Sequence, residues 1–123
     1  MSTTISGTNG VTFPDSTSMQ TGQQACKAWV NFNGVGTVAI RAGYNVSSIT
    51  DNGTGDYTVN FTTAMPDANY SYLGGAQAFG IANGPMVDMY YGASTTTAAR
   101  FRVFTQAAAA MDTSYASIAV FSN

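Results

Sequence analysis

The chain has 123 residues, with six Asp, no Glu, no His, one Cys, four Lys or Arg, a formal net charge of −2 and 45% hydrophobic residues. A Ser/His/Asp or Cys/His arrangement is therefore impossible, and the acidic balance argues against nucleic acid, whose phosphates need clustered basic side chains. No run approaches the roughly 18 apolar residues of a membrane-spanning helix, and MSTTISGTNG lacks the basic and apolar regions of a signal peptide, so neither membrane insertion nor export is expected.

Residues 1–26 hold only Ile5, Val11 and Phe13 as strong apolar anchors among Ser, Thr, Gly, Asn and Gln. Such a stretch cannot build its own core. It is expected to be an extended arm, with a turn at Thr8-Asn9-Gly10 and a short apolar stitch at 11–14, serving attachment or the interlocking of subunits. The single Cys26 has no internal disulfide partner and reads as a small packed residue at the start of the first strand of the following domain, 27–123.

From Lys27 the pattern changes to a two-residue period. Ala28, Val30 and Phe32 share one face and Lys27, Trp29 and Asn31 the other. Asn33-Gly34-Val35-Gly36 supplies a hairpin loop, and 37–41 returns as the second strand. Strands at 44–50 and 56–62 flank Asp51-Asn52-Gly53-Thr54-Gly55, the strongest turn signal in the chain, with Tyr57, Val59 and Phe61 on one face. Met65-Pro66-Asp67-Ala68-Asn69 is a further turn. Strands at 70–79, broken at Gly74-Gly75, then 86–91, 100–106 and 115–121 complete eight, the last two with Phe101 and Val103 alternating against Arg100 and Arg102, and Ile118 and Val120 against Ala119 and Phe121. Gln106–Met111 is too short for a stable helix and is expected to be a loop or single turn. Eight strands at this spacing suggest a sandwich or small barrel, and the expected fold is all-β: an antiparallel β-sandwich, jelly-roll-like, with an extended N-terminal arm.

Several chemical readings fall away. The 51–56 segment lacks the ligand spacing of a calcium loop and has no Glu to bind bidentately, so it reads as a hairpin turn and no metal or cofactor is expected. The triplets beginning at Asn45, Asn52, Asn60 and Asn69 fit the glycosylation pattern, which matters only in a secretory pathway. Two carboxylates suffice for glycoside hydrolysis, but the Asp residues sit mostly in turns, where local hydrogen bonding explains them. A non-enzyme is expected. The aromatics offer more: Tyr70, Tyr72, Tyr90 and Tyr91 lie near Gly-rich bends, and with Asn83 they compose a candidate receptor-binding surface, expected away from the arm, where aromatic faces stack and amides hydrogen-bond.

Two stretches carry a family resemblance. Thr4-Ile-Ser-Gly-Thr-Asn-Gly-Val-Thr-Phe-Pro-Asp15 resembles a short repeated element of tailed-bacteriophage fibre and related virion proteins. Lys27-Ala-Trp-Val-Asn-Phe-Asn-Gly34, continuing through Asn45-Val-Ser-Ser-Ile-Thr-Asp-Asn-Gly-Thr-Gly-Asp-Tyr-Thr-Val-Asn-Phe61, resembles a module recurring in such fibres. The resemblance covers about residues 4–73, and its motifs are structural. It implies a virion protein made in a bacterial host cytoplasm, a homotrimer in contact with other virion proteins of the tail, baseplate or capsid, and a β-domain at an exposed end facing a host surface glycan or protein. Long fibres have an extended shaft, for which this chain has no room. It is therefore expected to be a short tail-fibre tip or, alternatively, a capsid decoration protein.

Overall fold

The computed structural model describes residues 2–7, 10–16, 18–19, 26–77 and 84–122. Alternation of apolar and polar residues, not local helix propensity, dominates this chain, and no α-helix occurs among the described residues. Three short strands form the arm sheet: β1 (Thr4–Ser6), β2 (Gly10–Thr12) and β3 (Ser18–Met19). The domain that follows has eight: β4 (Cys26–Asn33), β5 (Ala39–Tyr44), β6 (Val46–Gly53), β7 (Asp56–Phe61), β8 (Ser71–Ala76), β9 (Met86–Met89), β10 (Ala98–Phe104) and β11 (Ala116–Phe121).

These eight strands make an antiparallel β-sandwich. Sheet 1 has the order β6-β7-β10-β9 and sheet 2 the order β5-β4-β11-β8. The first and last strands of the domain, β4 and β11, pair in the middle of sheet 2, as such strands do in a jelly roll, while the hairpins β4–β5 and β6–β7 each stay within one sheet. The four central strands carry the core. Ala28, Val30 and Phe32 of β4 and Ala116, Ile118 and Val120 of β11 face Tyr57, Val59 and Phe61 of β7 and Ala99, Phe101 and Val103 of β10, all buried. The period-two reading of these segments matches the structure residue for residue, with Trp29 outward on β4. Phe32 and Tyr57 meet edge to face across the two sheets, with ring centroids 5.2 Å apart.

Edges and connections depart from the sequence pattern. β5 runs over Ala39–Tyr44 rather than 37–41, and it carries a bulge at Arg41, where Asn31 pairs with Ala42 and Phe32 with Ile40. β8 passes straight through Gly74 and Gly75. Gly74 is there for close packing: a Cβ at this position would collide with the Val87 side chain of the opposite sheet. The 106–111 segment is a loop, with Ala108 in the left-handed region at φ 61° and Phe104 bridged to Ala110. In the arm, Ile5 pairs with Val11 and Val11 with Met19, so the chain doubles back into a small meander; Thr8 and Asn9 of the expected turn lie outside the described residues.

Two side-chain hubs hold the connections. At the end of the sandwich where Cys26 enters, Asn45 turns the chain from β5 in sheet 2 to β6 in sheet 1 in a single residue with φ 55°, a left-handed conformation that Asn tolerates. Its amide donates to the carbonyls of Lys27 (3.0 Å) and Thr63 (3.1 Å), and its Oδ1 accepts from the Thr63 amide (2.6 Å). At the far end, the Tyr57 phenol donates to Asp112 Oδ1 (2.7 Å), with the Gly34 carbonyl 2.9 Å away, and the same Asp112 oxygen accepts from the Gly55 amide (2.8 Å). Gly34 must be glycine because a Cβ would run into the Tyr57 hydroxyl.

Two stability predictions follow from these hubs. Asn45→Gly, which keeps the backbone easy but loses three hydrogen bonds, should destabilise less than Asn45→Ala, which loses both, by about 1 kcal/mol in urea unfolding. Equal losses would show that the left-handed turn is not a constraint. Burial and Asp112 push the Tyr57 phenol well above its ordinary 10.0, and burial raises Tyr70 as well. The stability these neutral phenols contribute is full below about pH 10 and is lost as pH rises beyond it. Tyr57→Phe should cost about 1–3 kcal/mol at neutral pH and blunt the alkaline loss, leaving the part due to Tyr70, as read by urea unfolding at neutral and strongly alkaline pH.

Candidate functional site

The outward face of sheet 1 is a hydrogen-bonded grid of short polar side chains. Asn60 donates to Ser48 and Thr50 of the neighbouring strand, both at 3.0 Å, and Asn52 donates to Thr58 at 2.8 Å. Next along the sheet, Arg100 clasps Asp56 bidentately, Nε to Oδ1 at 2.8 Å and Nη2 to Oδ2 at 2.7 Å. Arg102 lies in register between Asp56 of β7 and Asp88 of β9. The Asp51–Asp56 turn thus commits its carboxylates to protein groups: Asp51 accepts the Gly53 amide at 2.9 Å and Asp56 holds Arg100. Asp67 caps its own turn in the same way, accepting the Asn69 amide at 2.7 Å.

Tyr90 stands at the edge of this grid, immediately after β9. Its amide donates to the Arg100 carbonyl at 2.8 Å, and its carbonyl accepts from Ala93 at the close of the 3₁₀ turn Tyr91–Ala93. The backbone is fixed on both sides, while the ring is 47% exposed. The Arg100 and Arg102 guanidinium carbons lie 5.2 and 6.0 Å from the ring centroid. Such a half-exposed ring beside two cations can offer stacking and hydrogen bonding to a ligand.

The other sequence-derived candidates separate. Tyr70 is only 2% exposed: its ring packs edge to face on Phe61 and its hydroxyl lies 3.1 Å from the carbonyls of both Thr95 and Ala98. It is a core residue, and the expectation of a surface role is corrected. Tyr72 is half-buried against Phe101, donates to Asp88 Oδ1 (3.0 Å) and accepts the Met89 amide (2.8 Å), pinning β8 of sheet 2 to β9 of sheet 1. Asn83 and the Tyr91 side chain lie outside what is described. The expected position away from the arm is also corrected. β8 starts beside Phe121, which pairs with Cys26, so Tyr70 and the turn after Tyr90 sit at the end where the arm joins, and only Gly84-Pro85 lies at the far end.

Sequence reasoning missed the partners of Tyr90, although Arg100 and Arg102 had been placed on the outward face by alternation. It also missed Tyr115, half-exposed with the Arg41 guanidinium 4.0 Å from its ring centroid, a contact between residues 74 positions apart by subtraction of their numbers. A concavity of about 520 Å³, lined by Lys27, Tyr44, Asn45, Thr62 and Thr63, opens on the β5–β6 side, at the opposite edge of sheet 1 from Tyr90. Cys26 makes sulfur contacts to the carbonyls of Ala28 (3.1 Å) and Val120 (3.5 Å), as a packed residue does. Among the described residues no three His, Cys, Asp or Glu side chains group as metal ligands. Comparison of the chain with protein-family models, with curated proteins and with solved structures found no significant match.

The Asp56–Arg100 pair gives this face a pH signature. Hydrogen bonding from Arg100 holds the Asp56 carboxyl below its ordinary 3.8, against the opposing effect of burial. A depressed value means that the pair's stabilisation is present above about pH 4 and is lost as pH falls through the lower, folded-state value. Asp56→Asn should therefore destabilise modestly at neutral pH, as a partly exposed pair allows, and the gap to the parent should close as pH falls below the ordinary carboxylate range. A gap constant from neutral to acid in thermal unfolding would refute the pairing.

Proposed function

We propose that this chain is a non-enzymatic bacteriophage virion protein, a short tail-fibre or receptor-binding tip that acts as a homotrimer and meets the host through the outer face of sheet 1. The observation that carries this reading is Tyr90: a half-exposed ring, fixed at both backbone ends and flanked by Arg100 and Arg102, at the edge of a face where Asn52, Asn60, Asp56 and Arg100 are already paired strand to strand. The resemblance of residues 4–73 to fibre modules supports the same reading. Three copies on one rigid assembly would raise a weak single-site affinity by on the order of 10² or more where spacing fits.

Capsid decoration is the second reading, favoured by the uncovered anchor Ile5 in the arm, which a shell surface could bury. The test is competition: purified protein should block phage adsorption to host cells, and Tyr90→Ala should weaken that block about tenfold or more while leaving mass and melting temperature unchanged. If the parent protein does not block adsorption, the tip function is wrong; labelling on the capsid by cryo-EM would then favour decoration.

A further inference from the structure

The two faces of the sandwich are chemically opposed. Sheet 1 carries Asp51, Asp56, Asp88, Arg100 and Arg102, whereas the four strands of sheet 2 contain no carboxylate and only Lys27 and Arg41 as charges. Across sheet 2 one row stands in register: Tyr44 of β5 opposite Trp29 of β4, Trp29 opposite Ala119 of β11, and Ala119 opposite Leu73 of β8. Trp29 is 42% exposed and Leu73 68%. Between them runs an apolar groove of about 400 Å³, lined by Trp29, Leu73, Gly75, Ser117 and Ala119. On its walls Asn31 donates to the Ser117 hydroxyl at 2.8 Å, so these two polar groups partner each other.

A row with large exposed side chains on three of its four strands, Tyr44, Trp29 and Leu73 about the small Ala119, is a surface suited to being covered. The arm holds a matching uncovered element. Ile5 is 82% exposed, and residues 2–14 contain no charged side chain. An uncharged groove with no carboxylate offers nothing to a strongly charged partner, and it suits an uncharged strand with one branched apolar side chain. Area points the same way. Four strands about 4.8 Å apart and six residues long present roughly 400 Å² in projection, about half of the roughly 800 Å² per partner that a stable pair buries. An arm laid across the groove supplies the remainder.

We infer that the Trp29–Leu73 face of sheet 2 is the interface between copies of this chain, with Ile5 from the arm of one copy seated in the groove of the next. The inference rests on the homo-oligomeric reading above and identifies the surface responsible. It also leaves sheet 1, on the opposite side, free for the host.

The experiment is sedimentation of the full chain, alone and as Leu73→Lys, Trp29→Lys and Leu73→Met. The parent should be oligomeric. Each Lys variant should weaken association about 30-fold or more, as loss of a central anchor does, while Leu73→Met retains it. Leu73 is mostly exposed on the single chain, so Leu73→Lys should keep the parent's β-sheet circular dichroism and a cooperative unfolding transition, lowered only by the lost association, which separates interface loss from unfolding. In a Cys26→Ser background, Ile5→Cys chains mixed with Leu73→Cys chains should give an oxidised cross-linked dimer that Ile5→Cys chains mixed with the Cys26→Ser parent do not. A monomeric parent would overturn the oligomer itself and point to a different occupant of the face. An oligomeric parent whose Lys variants also remain oligomeric would overturn this interface while sparing the homo-oligomer. Monomeric Lys variants without the cross-link would overturn the seat assigned to Ile5.

Discussion

The sandwich depends on one part-buried contact at its far end, the buried Tyr57 phenol on the Asp112 carboxylate. It gathers three connections that the backbone ladders alone do not join: the β4–β5 loop at Gly34, the β6–β7 turn at Gly55 and the long β10–β11 link at Asp112. Backbone bonds lock the same place, Gly34 to Thr113 at 2.8 Å and Val103 to Gly55 at 2.7 Å. A phenol in the core needs a partner, and a carboxylate taking two donors in that setting is a strong one. The Tyr57 ring meanwhile fills the core against Phe32, so one side chain both closes the far end and packs the middle. Two glycines follow from this. Gly34 makes room for the hydroxyl, and Gly55, at φ 64°, brings its amide to Asp112 where any Cβ would strike the Val103 carbonyl.

With the far end closed in this way and the near end turned by Asn45, the two faces are free to differ. Sheet 1 satisfies its outward polar groups laterally, strand to strand, and keeps Tyr90 proud of that grid. Sheet 2 leaves its outward apolar row bare. The chain has only ten charged side chains to distribute, four basic and six acidic, and placing most of the paired ones on one sheet leaves the other with Lys27 and Arg41 and no carboxylate.

How much of this could be read from the sequence varied with burial. β4, β7, β10 and β11 were legible because each is central, with one face in the core and one outside, so a period of two is forced upon them. β5 was not. All six of its residues are exposed, and an edge strand with no buried face has no pattern to read. Tyr70 and Tyr72 were assigned to the surface from their glycine-rich neighbourhood, but their places are decided by Phe61, Thr95, Asp88 and Met89, none of which is local. Asn45 looked like one member of a recurring Asn triplet, and its role as a corner depends on Lys27 and Thr63, each 18 residues away. The candidate site was legible in part: alternation set Arg100 and Arg102 outward, yet their meeting with Tyr90 required the pairing of β9 with β10.

The placement of β4 has a mechanical consequence. The arm delivers the chain to the sandwich at Cys26, the first residue of a strand hydrogen-bonded on both sides, to β5 and to β11. Tension drawn through the arm against a body held elsewhere acts along β4, so it shears both ladders at once instead of unzipping them bond by bond. Rupture in that geometry must break many bonds together, whereas tension on an edge strand such as β5 would open them in succession. The strand that takes up the arm is thus seated where the sheet is toughest.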